Sequence, residues 1–187
     1  PHDGSTAIRT HVVGSTIMQC GTPKLYKTYT LAGPTSSNGG TLSLYFQATT
    51  DGQYYTGAWM DVTLYRGGVE VGFQGFYNPA AMGGWRLFQF SSAPNHFTQI
   101  GNGYQALTLA KLVNSSTGLL IAGPVEFDEV KISMHTYSCE GTCSLTLEQI
   151  VLDASPVADT TPPVITCPAN INVGNAPGVC GAIVTYS

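Results

Sequence analysis

The chain has 187 residues, 10% of them charged, and a net charge of -4 at pH 7. That length accommodates one well-buried domain with a remainder, not two complete domains of ordinary size. The acidic balance offers no basic stripe to a phosphate backbone, which excludes a nucleic-acid partner, and no apolar run approaches the roughly 20 residues of a membrane span.

Ordinary soluble proteins carry about 25% charged residues, so this surface must be largely neutral and rich in hydroxyls. The first residues, PHDGSTAIRT, lack the charged stretch and apolar core of a signal peptide. Apolar residues recur with period two and no stretch carries a 3.6-residue repeat, so the expected fold is all-β. In chain order the alternation predicts strands over Tyr26–Leu31, Thr41–Thr50, Trp59–Arg66, Val69–Tyr77, Trp85–Ser91, Gln105–Val113, Glu126–Tyr137 and Ser144–Leu152. Arg66-Gly67-Gly68-Val69 reads as a two-residue hairpin, because both glycines can take positive φ. So many short strands imply an antiparallel β-sandwich of the jelly-roll kind over residues 1–153, with an immunoglobulin-like sandwich as the nearest competitor.

Alternation also sorts each strand into two faces. Leu42, Leu44, Phe46 and Ala48 should point inward, leaving Ser43, Tyr45, Gln47 and Thr49 outside. Met60, Val62 and Leu64 should likewise be core, with Trp59, Asp61, Thr63 and Tyr65 outward. If these strands are neighbours, the outward rows form a platform of flat rings and short polar groups. A sugar needs that combination: the ring face stacks on Trp or Tyr while donors and acceptors hold the hydroxyls. Cross-strand packing is the competing use of such aromatics.

Connecting segments supply a second candidate surface. Tyr54 and Tyr55 precede one strand, and Tyr77, Asn78, Trp85 and Arg86 lie in or beside a long Gly-rich connection. Loops over a rigid sandwich are where binding residues collect. The guanidinium of Arg86 could pair with a sulfate or uronate group, or form a surface ion pair.

Carboxylates gather at Glu126-Phe127-Asp128-Glu129, and Asp153 closes the last strand. Glu126, Asp128 and Asp153 are the candidate ligands of a structural calcium ion (Ca2+), a hard cation that favours carboxylate oxygens. The same acids could be a solvated edge, or a catalytic pair if two faced each other across a cleft. There is no G-x-S-x-G elbow, no H-E-x-x-H and no phosphate loop, so no catalytic role is assigned. Cys139 and Cys143 flank a hairpin tip and are expected to form a disulfide, which implies an oxidising, extracellular setting; a zinc half-site with His135 is the alternative. Asn114-Ser115-Ser116 fits an N-glycan acceptor pattern.

From 154 to 162 the chain is small, polar and proline-rich, as a linker is. The elements that follow are D-x-T-P-P from Asp159, I-T-C-P through Cys167, and P-G-x-C-x-A-x-V-T-Y through Cys180. They resemble the opening of a hyalin repeat domain, an immunoglobulin-like module of extracellular and adhesive proteins. The resemblance covers Asp159–Ser187 and implies that 163–187 is an incomplete module of a longer secreted or surface protein, through which self-association could occur. Asp159-Thr160 is also similar to the short O-glycan acceptor motif of some secreted bacterial proteins. The strands around E-F-D-E-V-K-I-S and L-T-L-E-Q-I-V-L-D resemble the closing strands of jelly-roll carbohydrate-binding modules. The combined expectation is a non-catalytic extracellular module that binds a polysaccharide. The alternative is a structural or adhesive subunit of a cell-surface fibre assembled through β-strand contacts.

Overall fold

The computed structural model describes residues 8–13, 24–92, 97–139, 141–153, 174, 175, 177, 178 and 180; for 8–13 it describes the backbone alone. The chain divides into two compact units, Pro1–Val157 and Ala158–Ser187. The expected linker, most of the hyalin-like segment, the Asp159-Thr160 dipeptide, Cys20 and Cys167 lie outside the described residues.

The first unit is an all-β sandwich. Its described elements are β1 (Ile8–Val13), β2 (Lys24–Ser36), β3 (Thr41–Thr50), β4 (Gly57–Arg66), β5 (Val69–Met82), α1 (Gly84–Ser91), β6 (Phe97–Gln99), β7 (Gly103–Thr108), β8 (Glu126–Tyr137) and β9 (Thr142–Asp153). One sheet has the order β1-β9-β3-β7 and the other β2-β8-β4-β5-β6. All neighbours are antiparallel except β5 and β6.

The faces fall as alternation requires. Leu42, Leu44, Phe46 and Ala48 of β3 and Met60, Val62 and Leu64 of β4 are buried between the sheets. Phe76, Phe127, Ile132, Leu145 and Leu147 belong to the same core. Side-chain bonds close the end of the β3–β7 ladder. Ala48 N–H donates to Asn102 Oδ1 at 2.9 Å and Asn102 Nδ2 donates back to Ala48 O at 3.0 Å, so one amide side chain replaces a strand neighbour. At the β4–β5 hairpin Gly67 and Gly68 have φ of 56° and 80°, the double positive φ that a two-residue turn demands.

Three expectations need correction. The strand expected over Gln105–Val113 runs instead over Gly103–Thr108. Trp85–Ser91 is not a strand but the helix α1, and its inward residues Leu87 and Phe90 stand three apart, as one helix face requires. Seven residues are too few for alternation to separate strand from helix, and packing of Leu87 and Phe90 with Tyr77 and Met82 of β5 selects the helix. The connection before it is also more ordered than expected, because β5 continues to Met82.

α1 gives the second sheet a second, smaller core on its outer face. Tyr77, Met82 and Phe90 are buried there, with Trp59, Leu87 and Phe97 packed against them. Gly75 makes room: a Cβ at this position would overlap the Phe97 ring.

Burial parity predicts opposite outcomes for residues on the two faces of β3. Phe46→Ala should lower unfolding free energy by about 3–5 kcal/mol, whereas Ser43→Ala should change it by less than about 0.5 kcal/mol. Urea denaturation of both variants, compared at their midpoints, measures the difference.

Candidate functional site: an aromatic surface on the helix

The two outward rows expected to form one platform lie on opposite sides of the molecule. β3 belongs to one sheet and β4 to the other, so Tyr45 and Trp59 face away from each other. Tyr45 is half-buried on the first sheet, edge-on to Tyr104 with ring centroids 5.3 Å apart. Tyr65 is half-buried on the second, opposite Glu70 and Glu129.

Trp59 and Asp61 point outward from β4 as expected, but α1 and its neighbours cover them. The Trp59 ring stacks on His135, nearly parallel at 5.0 Å, and Phe90 meets it edge-on at 5.0 Å. Asp61 is buried and holds His135, with Oδ2 2.7 Å from Nε2. The ring N–H does not lie along this contact, and neither His135 Nε2 nor Asp61 Oδ1 has a well-directed hydrogen-bond partner. The short distance therefore marks a close polar contact, not an aligned hydrogen bond. Trp59 and Asp61 form part of the packing beneath α1 and are not an exposed platform.

Several residues of the predicted second surface prove structural too. Tyr77 is buried, and its hydroxyl accepts a bond from Gln99 Nε2 at 2.9 Å. Asn78 is buried, donates to Asn102 Oδ1 at 2.9 Å and accepts from Ala80 N–H at 3.0 Å. Arg86 is half-buried, its guanidinium 3.6 Å from the Tyr137 ring centroid and 5.7 Å from that of Trp59. One terminal nitrogen donates to Gln89 Oε1 at 3.0 Å. Burial weakens the hold of Arg86 on its proton, and Tyr137 opposes that shift. Its stem and charge serve packing instead of projecting toward an acidic ligand.

The remaining residues do come together in space. The turn between β3 and β4 packs against the start of α1, where Trp85 N–H donates to Tyr54 O at 3.0 Å and Gly83 N–H donates to Thr56 O at 2.8 Å. Gly83 is extended and lies so close to this turn that a Cβ would overlap the Gln53 carbonyl. Gly84 would likewise press on the Tyr54 ring, at 2.9 Å. Tyr54 meets Tyr55 edge-on at 4.9 Å. On the outer side of α1, Trp85 stacks on Phe88 with centroids 6.0 Å apart. Tyr54, Trp85 and Phe88 are 51%, 40% and 62% exposed, a concentration of bare ring that packing does not require. Gln53, in the same turn as Tyr54, and Gln89, four residues after Trp85 in α1, are also exposed. Phe88 was missed because it stands three residues after Trp85, a relation that matters only in a helix.

The acids do not gather. Glu126 and Asp128 lie on β8, and Asp153 lies on β9 of the other sheet. Arg66 donates to Asp128 at 2.8 Å and Gly67 N–H donates to the same carboxylate at 3.1 Å. These bonds hold the Asp128 carboxyl below its ordinary range. Among the described residues no three His, Cys, Asp or Glu side chains converge as a metal site.

The cysteine pairing is also corrected. Cys139 is disulfide-bonded, but Cys143 is a free, buried thiol, so the partner of Cys139 lies outside the described residues. Parity explains why Cys143 is not that partner. It points into the core in the same row as Leu145 and Leu147, and its Sγ contacts the carbonyl oxygens of Tyr137 at 3.2 Å and Gly57 at 3.3 Å. Cys139 instead sits at the turn, with the Tyr137 hydroxyl 2.9 Å from its sulfur. Burial pushes the Cys143 thiol above its usual pKa. Asn114 of the N-glycan pattern is exposed, and its side-chain oxygen accepts from the amides of Ser116 and Thr117, both at 3.0 Å.

No family model, curated protein or solved structure matches this chain.

The thiol assignment makes a direct prediction. Native protein treated with iodoacetamide at neutral pH should leave Cys143 unmodified, whereas denaturation without reductant should expose it. Non-reducing peptide mapping should then find Cys143 alkylated and Cys139 in a cross-linked peptide. A Cys139–Cys143 peptide would contradict the assignment.

Proposed function

We propose that the first unit is a non-catalytic glycan-binding module of an extracellular protein, and that Tyr54, Trp85 and Phe88 bind the sugar. The observation that carries this reading is their joint exposure on one side of α1. A pyranose ring presents an apolar face to an aromatic ring and hydroxyls at its rim, and the exposed Gln89 of α1 offers an amide held by Arg86. The backing is rigid: Arg86, Trp59 and Phe90 lock the inner side of α1, and Gly83 and Gly84 admit the turn that carries Tyr54. Preorganised rings lose little freedom on binding. The disulfide at Cys139 supports an oxidising compartment.

A second reading, a structural or adhesive subunit, is favoured by β2. This strand is at the edge of its sheet and exposes 43% of Leu25 and 62% of Tyr26. Such an edge can template pairing with another chain.

Affinity electrophoresis in gels containing neutral or sulfated polysaccharides, with and without a calcium chelator, separates the readings. Trp85→Ala and Phe88→Ala should each weaken binding of the retarding polymer about tenfold with little change in melting temperature. Trp59→Ala should instead lower the melting temperature. Gly83→Ala should reduce retardation by displacing the turn from α1 while removing no ring. Unchanged retardation in both Trp85→Ala and Phe88→Ala would sink the proposed site. Concentration-dependent self-association without retardation by any polymer would favour the subunit.

A further inference from the structure

The outer face of the other sheet carries a feature that the aromatic surface on α1 does not explain. Along β9 the core-facing apolar residues are Leu145, Leu147, Ile150 and Leu152, so the spacing lengthens once from two residues to three. Ladder partners confirm the extra residue: Ser43 pairs with Val151, yet Tyr45 pairs with Glu148. This is a β-bulge, and Gln149 adopts φ of 50°, the one positive φ at a non-glycine residue among those described. Glycine or asparagine would take that conformation at lower cost. Gln149 is thus a strained, exposed polar residue, and such outliers cluster at ligand sites.

The bulge lies at the side of an open trough of about 660 Å³, within the range of about 300–1,000 Å³ typical of small-ligand sites. Side-chain size accounts for its shape. Ser43 and Ala106, paired in register across β3 and β7, make a low floor. Tyr104 rises at one side, 62% exposed and fixed edge-on to Tyr45. Gln149 and Val151 rise at the other, with Val151 57% exposed. Leu44 and Gln105 border it too, but they pair with each other in register and Leu44 is core, so their side chains belong to the inner face. None of these side chains is charged at neutral pH, although the protein as a whole carries -4.

We infer that this trough is a second ligand site, on separate residues from the α1 surface, and that its ligand is a neutral oligosaccharide. Tyr104 and Val151 supply the apolar surface for a sugar ring, and Ser43 and Gln149 supply hydroxyl and amide groups that match hydroxyls without demanding a charge. A charged sugar would lose hydration here and meet no counter-charge. The inference shares with the α1 proposal only the class of ligand, so each can fail alone.

The test is isothermal titration calorimetry of the full chain with neutral hexamers: β-1,4-linked glucose, mannose and xylose, and α-1,4-linked glucose. At least one should bind, and binding should persist in Trp85→Ala. Tyr104→Ala should weaken it about tenfold. Ala106→Leu, which raises the floor at an exposed position, should do the same without loss of fold. Gln149→Gly is the most discriminating variant, because it should weaken binding several-fold while raising the melting temperature as strain is relieved. No heat with any hexamer would overturn the inference, as would affinities within twofold of wild type in both Tyr104→Ala and Ala106→Leu. A concentration-dependent dimer disrupted by Ala106→Leu, with no oligosaccharide binding, would reassign the trough to contact between copies.

Discussion

The pleat of a β-strand allows each side chain one of two directions, and the rest of this structure follows from which residues take the inner one. Phe46, Met60, Val62, Leu64, Phe76 and Phe127 must leave water together, which fixes the face of β3, β4, β5 and β8 at once. Every other side chain on those strands is then committed. Tyr45 and Trp59 are driven to opposite outer surfaces because their neighbours are buried against each other. Cys143 is drawn into the core by the same parity and away from the turn cysteine.

On the second sheet, outward does not mean exposed. α1 covers one end of its outer face, and the aromatic residues divide between two duties. Trp59, Tyr77, Phe90 and Phe97 interlock at centroid separations from 4.0 to 6.4 Å and bury an otherwise wettable sheet. The Asp61–His135 contact lies in this layer, where a lone charge would be costly. Trp85 and Phe88 are on the side of α1 that this packing leaves in solvent. The exposed rings are thus a consequence of the buried ones, because Phe90 and Leu87 fix the rotation of the helix.

Scarcity of charge gives both candidate sites their character. The ion pair of Arg66 with Asp128 and the polar contact of His135 with Asp61 are local to a hairpin and a packed layer, so neither reaches the trough. Around the trough the polar groups are hydroxyl and amide, and on α1 the one cation, Arg86, is held by Gln89 and the Tyr137 ring. Hydroxyls and amides bind by direction instead of by field, which suits a ligand whose own polarity is a ring of hydroxyls. The α1 surface and the trough use different elements, a helix docked on one sheet and a bulge within the other.

The sequence by itself determined the all-β class, the inner and outer faces of β3 and β4, the Gly67-Gly68 hairpin and the extents of β3, β4, β8 and β9 to within two residues. Those features depend on alternation and on local backbone freedom, which act between neighbours in the chain. It also placed Tyr54 and Trp85 among the candidate rings. Only the tertiary structure decided that β3 and β4 belong to different sheets, that Trp85–Ser91 is helical, and that Cys143 stays reduced. It likewise separated Asp128 from Asp153, since strand order is set by long-range pairing that alternation does not encode. The bulge at Gln149 falls between these cases. Its cause is legible in the spacing of Leu147 and Ile150, but its consequence, a trough beside Tyr104, exists only because β7 and β9 flank β3.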